Sequence, residues 1–133
     1  MTDIFIKSFN RAFYLDRCIA SIYKNITGNF TIKILDDGTP KKYLDKIQAK
    51  YPEVEISLSN SYEEKTMAIA ENLISGKPIN GFDIPTKFWY NNVEKASKYV
   101  IVTEDDVWFT QAVNVDQLVL QADESEGTGG GRA

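Results

Sequence analysis

Four short runs rich in β-branched and aromatic residues recur along this chain, and three of them break at once into polar residues. Asp3-Ile4-Phe5-Ile6-Lys7-Ser8-Phe9 runs into Asn10-Arg11. Phe30-Thr31-Ile32-Lys33-Ile34-Leu35 runs into Asp36-Asp37-Gly38-Thr39-Pro40. Tyr99-Val100-Ile101-Val102-Thr103 runs into Glu104-Asp105-Asp106. Runs of this length and composition, bounded by turn residues, read as strands. Val54-Glu55-Ile56-Ser57-Leu58 alternates with period two and reads as another. Between them Leu15, Cys18, Ile19, Ile22 and Ile26 follow helix spacing, closed by Gly28-Asn29. A second helix carries Tyr43, Leu44 and Ile47 and stops at Tyr51-Pro52. This alternation predicts an α/β fold: a mostly parallel sheet with helices on both faces.

The later pattern is looser. Met67, Ala70, Leu73 and Ile74 suit a helix, and Gly76 to Gly81 a loop. Asp83 can cap a further helix with Pro85 in its first turn, on which Trp89, Val93 and Ala96 share a face. Val113, Val115, Leu118 and Val119 fit a strand or a helix. Glu124 to Ala133 is polar and Gly-rich. We read residues 1–122 as one domain and 123–133 as a flexible tail.

Composition removes several chemistries. The net charge is −4 and the pI about 4.8, which argues against a nucleic-acid surface built from clustered Lys and Arg. Free nucleotides stay open, because a metal can screen phosphate charge locally. Histidine is absent and Cys18 is the single cysteine. Ser-His and Cys-His nucleophilic catalysis, histidine metal ligands, thiolate zinc clusters and internal disulfides therefore fall away. No apolar run approaches the ~18 residues of a membrane span, and the apolar part of MTDIFIKSF is too short for a signal peptide. The expected compartment is the cytoplasm.

In open α/β sheets, ligands bind beyond the carboxyl ends of the strands, where the strand order switches. That rule selects Ser8 to Arg11, Asp36 to Thr39 and Glu104 to Asp106. The acidic triplet is either a solvated turn or a seat for Mg2+ or Mn2+ on oxygen ligands. Asp-Asp-Gly is either ordinary turn chemistry or a way to aim one carboxylate at a base N–H. Asn10 and Arg11 either cap the first helix or fix a loop in which Ser8 and Phe9 border a nucleobase. Lys87 and Asn91, four apart, share a helix face, which is either solvated or brings Lys87 to a phosphate.

Taken in order, IKSFNRAFYLDRCIASIYKN, ILDDGTP and KFWYNNVEKASKYVIVTEDDVW resemble the nucleotide-binding half of a GT-A glycosyltransferase, family 2 in particular. The likeness covers about residues 3 to 110. It implies a Rossmann-like GT-A fold that binds a nucleotide-diphospho-sugar, a UDP-sugar, with Mn2+ or Mg2+. The sugar would pass to an acceptor hydroxyl. It also implies roles: Asp37 contacts uracil, Ser8 and Phe9 border the nucleoside, and Glu104 lies near the nucleotide. Asp105 lies near the ribose or the metal, Asp106 binds the metal that meets the diphosphate, and Lys87 stands near the diphosphate. The candidate nucleotide-binding set is thus Ser8, Phe9, Asn10, Arg11, Asp36, Asp37, Lys87, Glu104 and Asp105. Asp105 and Asp106 are the candidate metal ligands.

The sequence departs from the family in one respect. The family's acceptor half and its general base follow the metal motif, and this chain ends roughly 27 residues after Asp106. The expectation is a GT-A domain truncated after the metal motif. A non-catalytic nucleotide-binding or assembly fragment is the main alternative. A receiver-like signalling module is a remote one, since the first strand ends in Ser-Phe-Asn and the third lacks an Asp. An uncovered Trp108 and Phe109 would favour a homo-dimer.

Overall fold

The computed structural model describes residues 1–76 and 82–127. Four parallel strands make the main sheet, in the order β4-β3-β1-β5: β1 (Thr2–Ser8), β3 (Phe30–Asp36), β4 (Glu55–Leu58) and β5 (Val100–Glu104). The helices are α1 (Ala12–Asn25), α2 (Lys41–Lys50), α3 (Tyr62–Ser75), α4 (Thr86–Glu94) and α5 (Val115–Gly127). Among the described residues, no helix is long and apolar enough to cross a membrane.

The two sheet faces differ because side chains alternate along each strand. Ile4, Ile6, Ile32 and Ile34 point to one face and form a buried cluster with Leu15, Cys18, Ile19 and Ile22 of α1 and Leu44 and Ile47 of α2. Full burial of each such side chain contributes roughly 1.5–3 kcal/mol. The register sets Lys33, Phe5 and Val102 side by side on the other face, with Lys7 beside Glu104 one step further on. α4 meets this face, which also buries Phe5 and Leu35. Its Trp89 ring lies 4.4 Å from Lys7 Nζ, and Ser97 just beyond it bonds Asp3 at the far end of β1.

Several sequence expectations are corrected. Ile26 leaves the helix and forms β2 (Ile26–Thr27), which pairs in parallel with β6 (Val113–Asn114). The segment that fitted strand or helix is both, since β6 leads directly into α5. Gly28 at the β2 turn has φ +103°, and a Cβ there would meet Asp116 and Val115 at 3.0 Å. Asp83 does not cap α4, which starts after Pro85 without a side-chain cap. On α3 Met67 and Leu73 face solvent, while Tyr62, Lys65 and Ile69 are buried. A lysine in the buried line disguised the true apolar face. Helix α5 continues to Gly127, past the boundary drawn at 122 from composition. Gly76 caps α3 in the left-handed region (φ +71°). The rest of the Gly76–Gly81 loop and the end of the Gly-rich tail lie outside the described residues. Trp108 is exposed, but Phe109 packs on the core, pinned to α1 through Ser21 and Asn25.

Candidate functional site

Strand order reverses at β1, which has β3 on one side and β5 on the other. The three polar loops chosen from the sequence leave the carboxyl ends of these neighbours. Backbone bonds join them: Asp37 N–H donates to Ser8 O (2.9 Å) and Asp105 N–H to Lys7 O (3.0 Å). Side chains stitch them further. Phe9 N–H donates to Asp105 Oδ2 (3.2 Å), and Asn10 N–H to Thr39 Oγ1 (3.1 Å). Asn10 has φ 50°, a left-handed conformation that Asn tolerates better than most residues. It turns the chain sharply from β1 into α1.

The two acids of Asp36-Asp37 have separate environments. Asp36 is fully buried, and its carboxylate accepts from Gly38 N–H (2.9 Å), Thr39 N–H (2.7 Å) and the Thr39 hydroxyl. Burial outweighs these bonds and leaves its pKa raised. Both Asp36 oxygens build the loop and face no crevice. Asp37 is the neighbour that reaches across to α3. Its Oδ1 accepts from Ser59 Oγ (2.6 Å) and its Oδ2 from Lys65 Nζ. Lys65 also donates to Asp83 O (2.8 Å) and stands between the Phe9 and Phe82 rings, 5.9 and 5.6 Å from their centres. The Phe9 ring lies so close on Gly38 that a Cβ there would come within 2.6 Å of it. Thus Phe9, Gly38, Asp37 and Lys65 form one wall.

The three acids after β5 also diverge. Glu104 stands 3.5 Å from Lys7 Nζ and is half-exposed. Asp105 is completely buried; its Oδ1 lies 2.8 Å from Arg11 Nη2, an ion pair without an aligned hydrogen bond. Burial raises the Asp105 pKa against the pull of Phe9 N–H and Arg11. Asp106 is half-exposed, with Oδ2 3.4 Å from Arg11 Nη1. Arg11 therefore bridges the two candidate metal ligands. Behind them Cys18 has its thiol pKa pushed up to about 12 by burial and by Asp105 and Asp106, which makes it inert.

Among the described residues, no three His, Cys, Asp or Glu side chains converge as a ready cation cage. A smaller donor set suits a hard cation nonetheless. Mg2+ typically uses one or two protein carboxylates and completes its shell with phosphates and waters. Asp105 Oδ1, engaged by Arg11, and the half-exposed Asp106 are the carboxylate oxygens here that could serve as such a set. Lys87 is exposed in the first turn of α4 and, among the described residues, makes no ion pair with these acids. Lys7 is the cation beside Glu104. Sequence reasoning missed Lys65, Ser59 and Thr39. Lys65 had a legible signal, since it falls on one helix face with Tyr62 and Ile69.

A cleft of about 620 Å3 opens elsewhere, between α1 and α2, lined by Phe13, Tyr14, Tyr43, Lys46 and Lys50 and touching the strand ends at Asn10 and Arg11. Of the three loops, only the one after β1 reaches it.

No family model and no curated protein matches the chain. Among solved structures it matches the crystal structure of S. aureus TarS 1-349 with a TM-score of 0.58 and 14% identity, over 96% of this chain. The chain has the N-terminal GT-A fold. It spans 33% of that TarS chain, so this is a likeness to the N-terminal part of a glycosyltransferase. At this identity the likeness concerns the fold.

Proposed function

We propose that this chain binds a nucleotide-diphospho-sugar, a UDP-sugar, with Mn2+ or Mg2+, as the donor half of a glycosyltransferase. The observation that carries the reading is the hydrogen-bonded convergence of Ser8–Arg11, Asp36–Thr39 and Glu104–Asp106 at the strand-order reversal. In this wall the part-exposed Phe9 ring lies on Gly38, with Asp37 and Lys65 as a buried acceptor and donor beside it. Such a wall suits the face and polar edge of a nucleobase. A carboxylate has about four lone-pair sites, so Asp37 can accept a base N–H while keeping Ser59 and Lys65. Asp36 holds the loop from beneath. Asp106, with Asp105 Oδ1, would hold the cation. A bound divalent cation supplies charge neutralisation for a departing diphosphate.

Transfer also needs a base beside the acceptor hydroxyl. Among the acids at these strand ends, Asp36 and Asp37 are held in buried bonds, Glu104 lies beside Lys7, and Asp105 and Asp106 are given to the cation in this reading. We therefore assign donor binding to this chain, and sugar transfer to its combination with an acceptor-side element. Calorimetric titration of UDP in Mn2+, then in EDTA, tests the assignment. Metal-dependent binding that falls at least about ten-fold in Asp106→Ala, a loss of about 1.4 kcal/mol, is the expected result. No binding to the folded chain in either condition refutes it.

A further inference from the structure

The acid pair proposed to take the cation already holds one, the guanidinium of Arg11. Nη2 stands 2.8 Å from Asp105 Oδ1 and Nη1 stands 3.4 Å from Asp106 Oδ2. We propose that Arg11 is a built-in competitor for the divalent cation. It occupies Asp105 and Asp106 while the donor is absent, and it gives them up to the metal and turns onto the diphosphate when both arrive. This inference rests on the donor-binding reading.

The two partners differ in freedom. Asp105 is fully buried and fixed by the Phe9 N–H, so it cannot follow a departing guanidinium. The Arg11 side chain is 47% exposed and springs from the position just after Asn10, where β1 turns into α1. It can swing without disturbing the core. Asp105 Oδ1 meets the guanidinium at 2.8 Å, a single charge spread over a planar group, and a compact dication improves on that attraction. Charge decides the direction. Two carboxylates and one guanidinium leave a net negative charge at these strand ends, which would repel a diphosphate. Exchange of the guanidinium for a dication neutralises the pair. It also frees a planar fork of N–H donors, a shape suited to phosphate oxygens.

Competition makes a direct prediction: removing the guanidinium frees the acids it holds and tightens binding of a cation that shares them. Mn2+ alone is titrated into the full chain, wild type and Arg11→Gln, and free Mn2+ is followed by electron paramagnetic resonance. The expected result is Mn2+ affinity on the order of ten-fold higher in Arg11→Gln, together with weaker UDP binding at saturating Mn2+. Equal or lower Mn2+ affinity in the variant overturns the proposal. Should Arg11→Gln not fold, the Arg11 Nη–H resonances of the wild type, the groups that face Asp105 and Asp106, decide. Faster solvent exchange on addition of Mg2+ is expected, and unchanged resonances overturn the proposal. Failure of the donor-binding reading shows separately, as absence of UDP binding to the wild type, and leaves the Mn2+ comparison intact.

Discussion

At the scale of single residues, identical side chains are separated by what surrounds them. Asp36 and Asp37 are neighbours, yet the first folds back on its own turn and the second reaches α3. Sequence marks both as turn acids and cannot assign them, because the assignment depends on which one meets Ser59 and Lys65, 22 and 28 residues away. The Lys65–Asp37 pair is almost wholly buried, with side chains 4% and 8% exposed. Removing one partner of a buried pair strands the other charge in low dielectric. We expect Lys65→Met to lower unfolding stability by about 3–5 kcal/mol, read as a lower urea midpoint with an unchanged slope. A midpoint equal to wild type would mean that Asp37 is satisfied without the lysine.

At the scale of elements, strand ends and loops were legible because the periodicity changes sharply where β1, β3 and β5 stop. Helix faces were less so. The apolar line of α3 includes Lys65, and a burial pattern broken by a charge is read as solvent-facing. The end of α1 was misplaced because Ile26 satisfies helix spacing while its backbone pairs with β6, a partner 87 positions on. Asp3 shows how elements are tied together: it accepts from the Thr31 hydroxyl on β3 and from Ser97 N–H beyond α4, and it lies 3.6 Å from Lys33 Nζ. Burial alone would raise its pKa, but the bonds from Thr31 and Ser97 and the charge of Lys33 outweigh it and hold the value low. A carboxyl whose folded pKa is depressed contributes stability above its unfolded pKa of about 3.9, lost as pH falls through the folded value. Asp3→Asn should therefore destabilise the chain near neutrality and flatten its stability profile below about pH 4. A variant whose acid unfolding curve overlays that of wild type would show that Asp3 is not the linked group. Asp36 and Asp105, with raised values, act in the opposite sense and favour the folded state as pH falls.

At the scale of the whole molecule, the sheet separates two jobs. The isoleucine face, packed on α1 and α2, carries the burial that holds the strands in register. The reversal of strand order at β1 then brings three loops, far apart in sequence, to one edge. The sequence indicated that gathering through strand–helix alternation alone. It could not indicate that Arg11 would stand between Asp105 and Asp106, because that contact depends on β1 and β5 being neighbours. The central claim is that this edge, and not the cleft between α1 and α2, receives the nucleotide. Amide-resolved NMR of the full chain during a UDP titration with Mg2+ tests it most directly. The account predicts shifts concentrated at residues 8–11, 36–39 and 104–106. Shifts centred instead on Tyr43, Lys46 and Lys50, or none at saturating UDP, would contradict it.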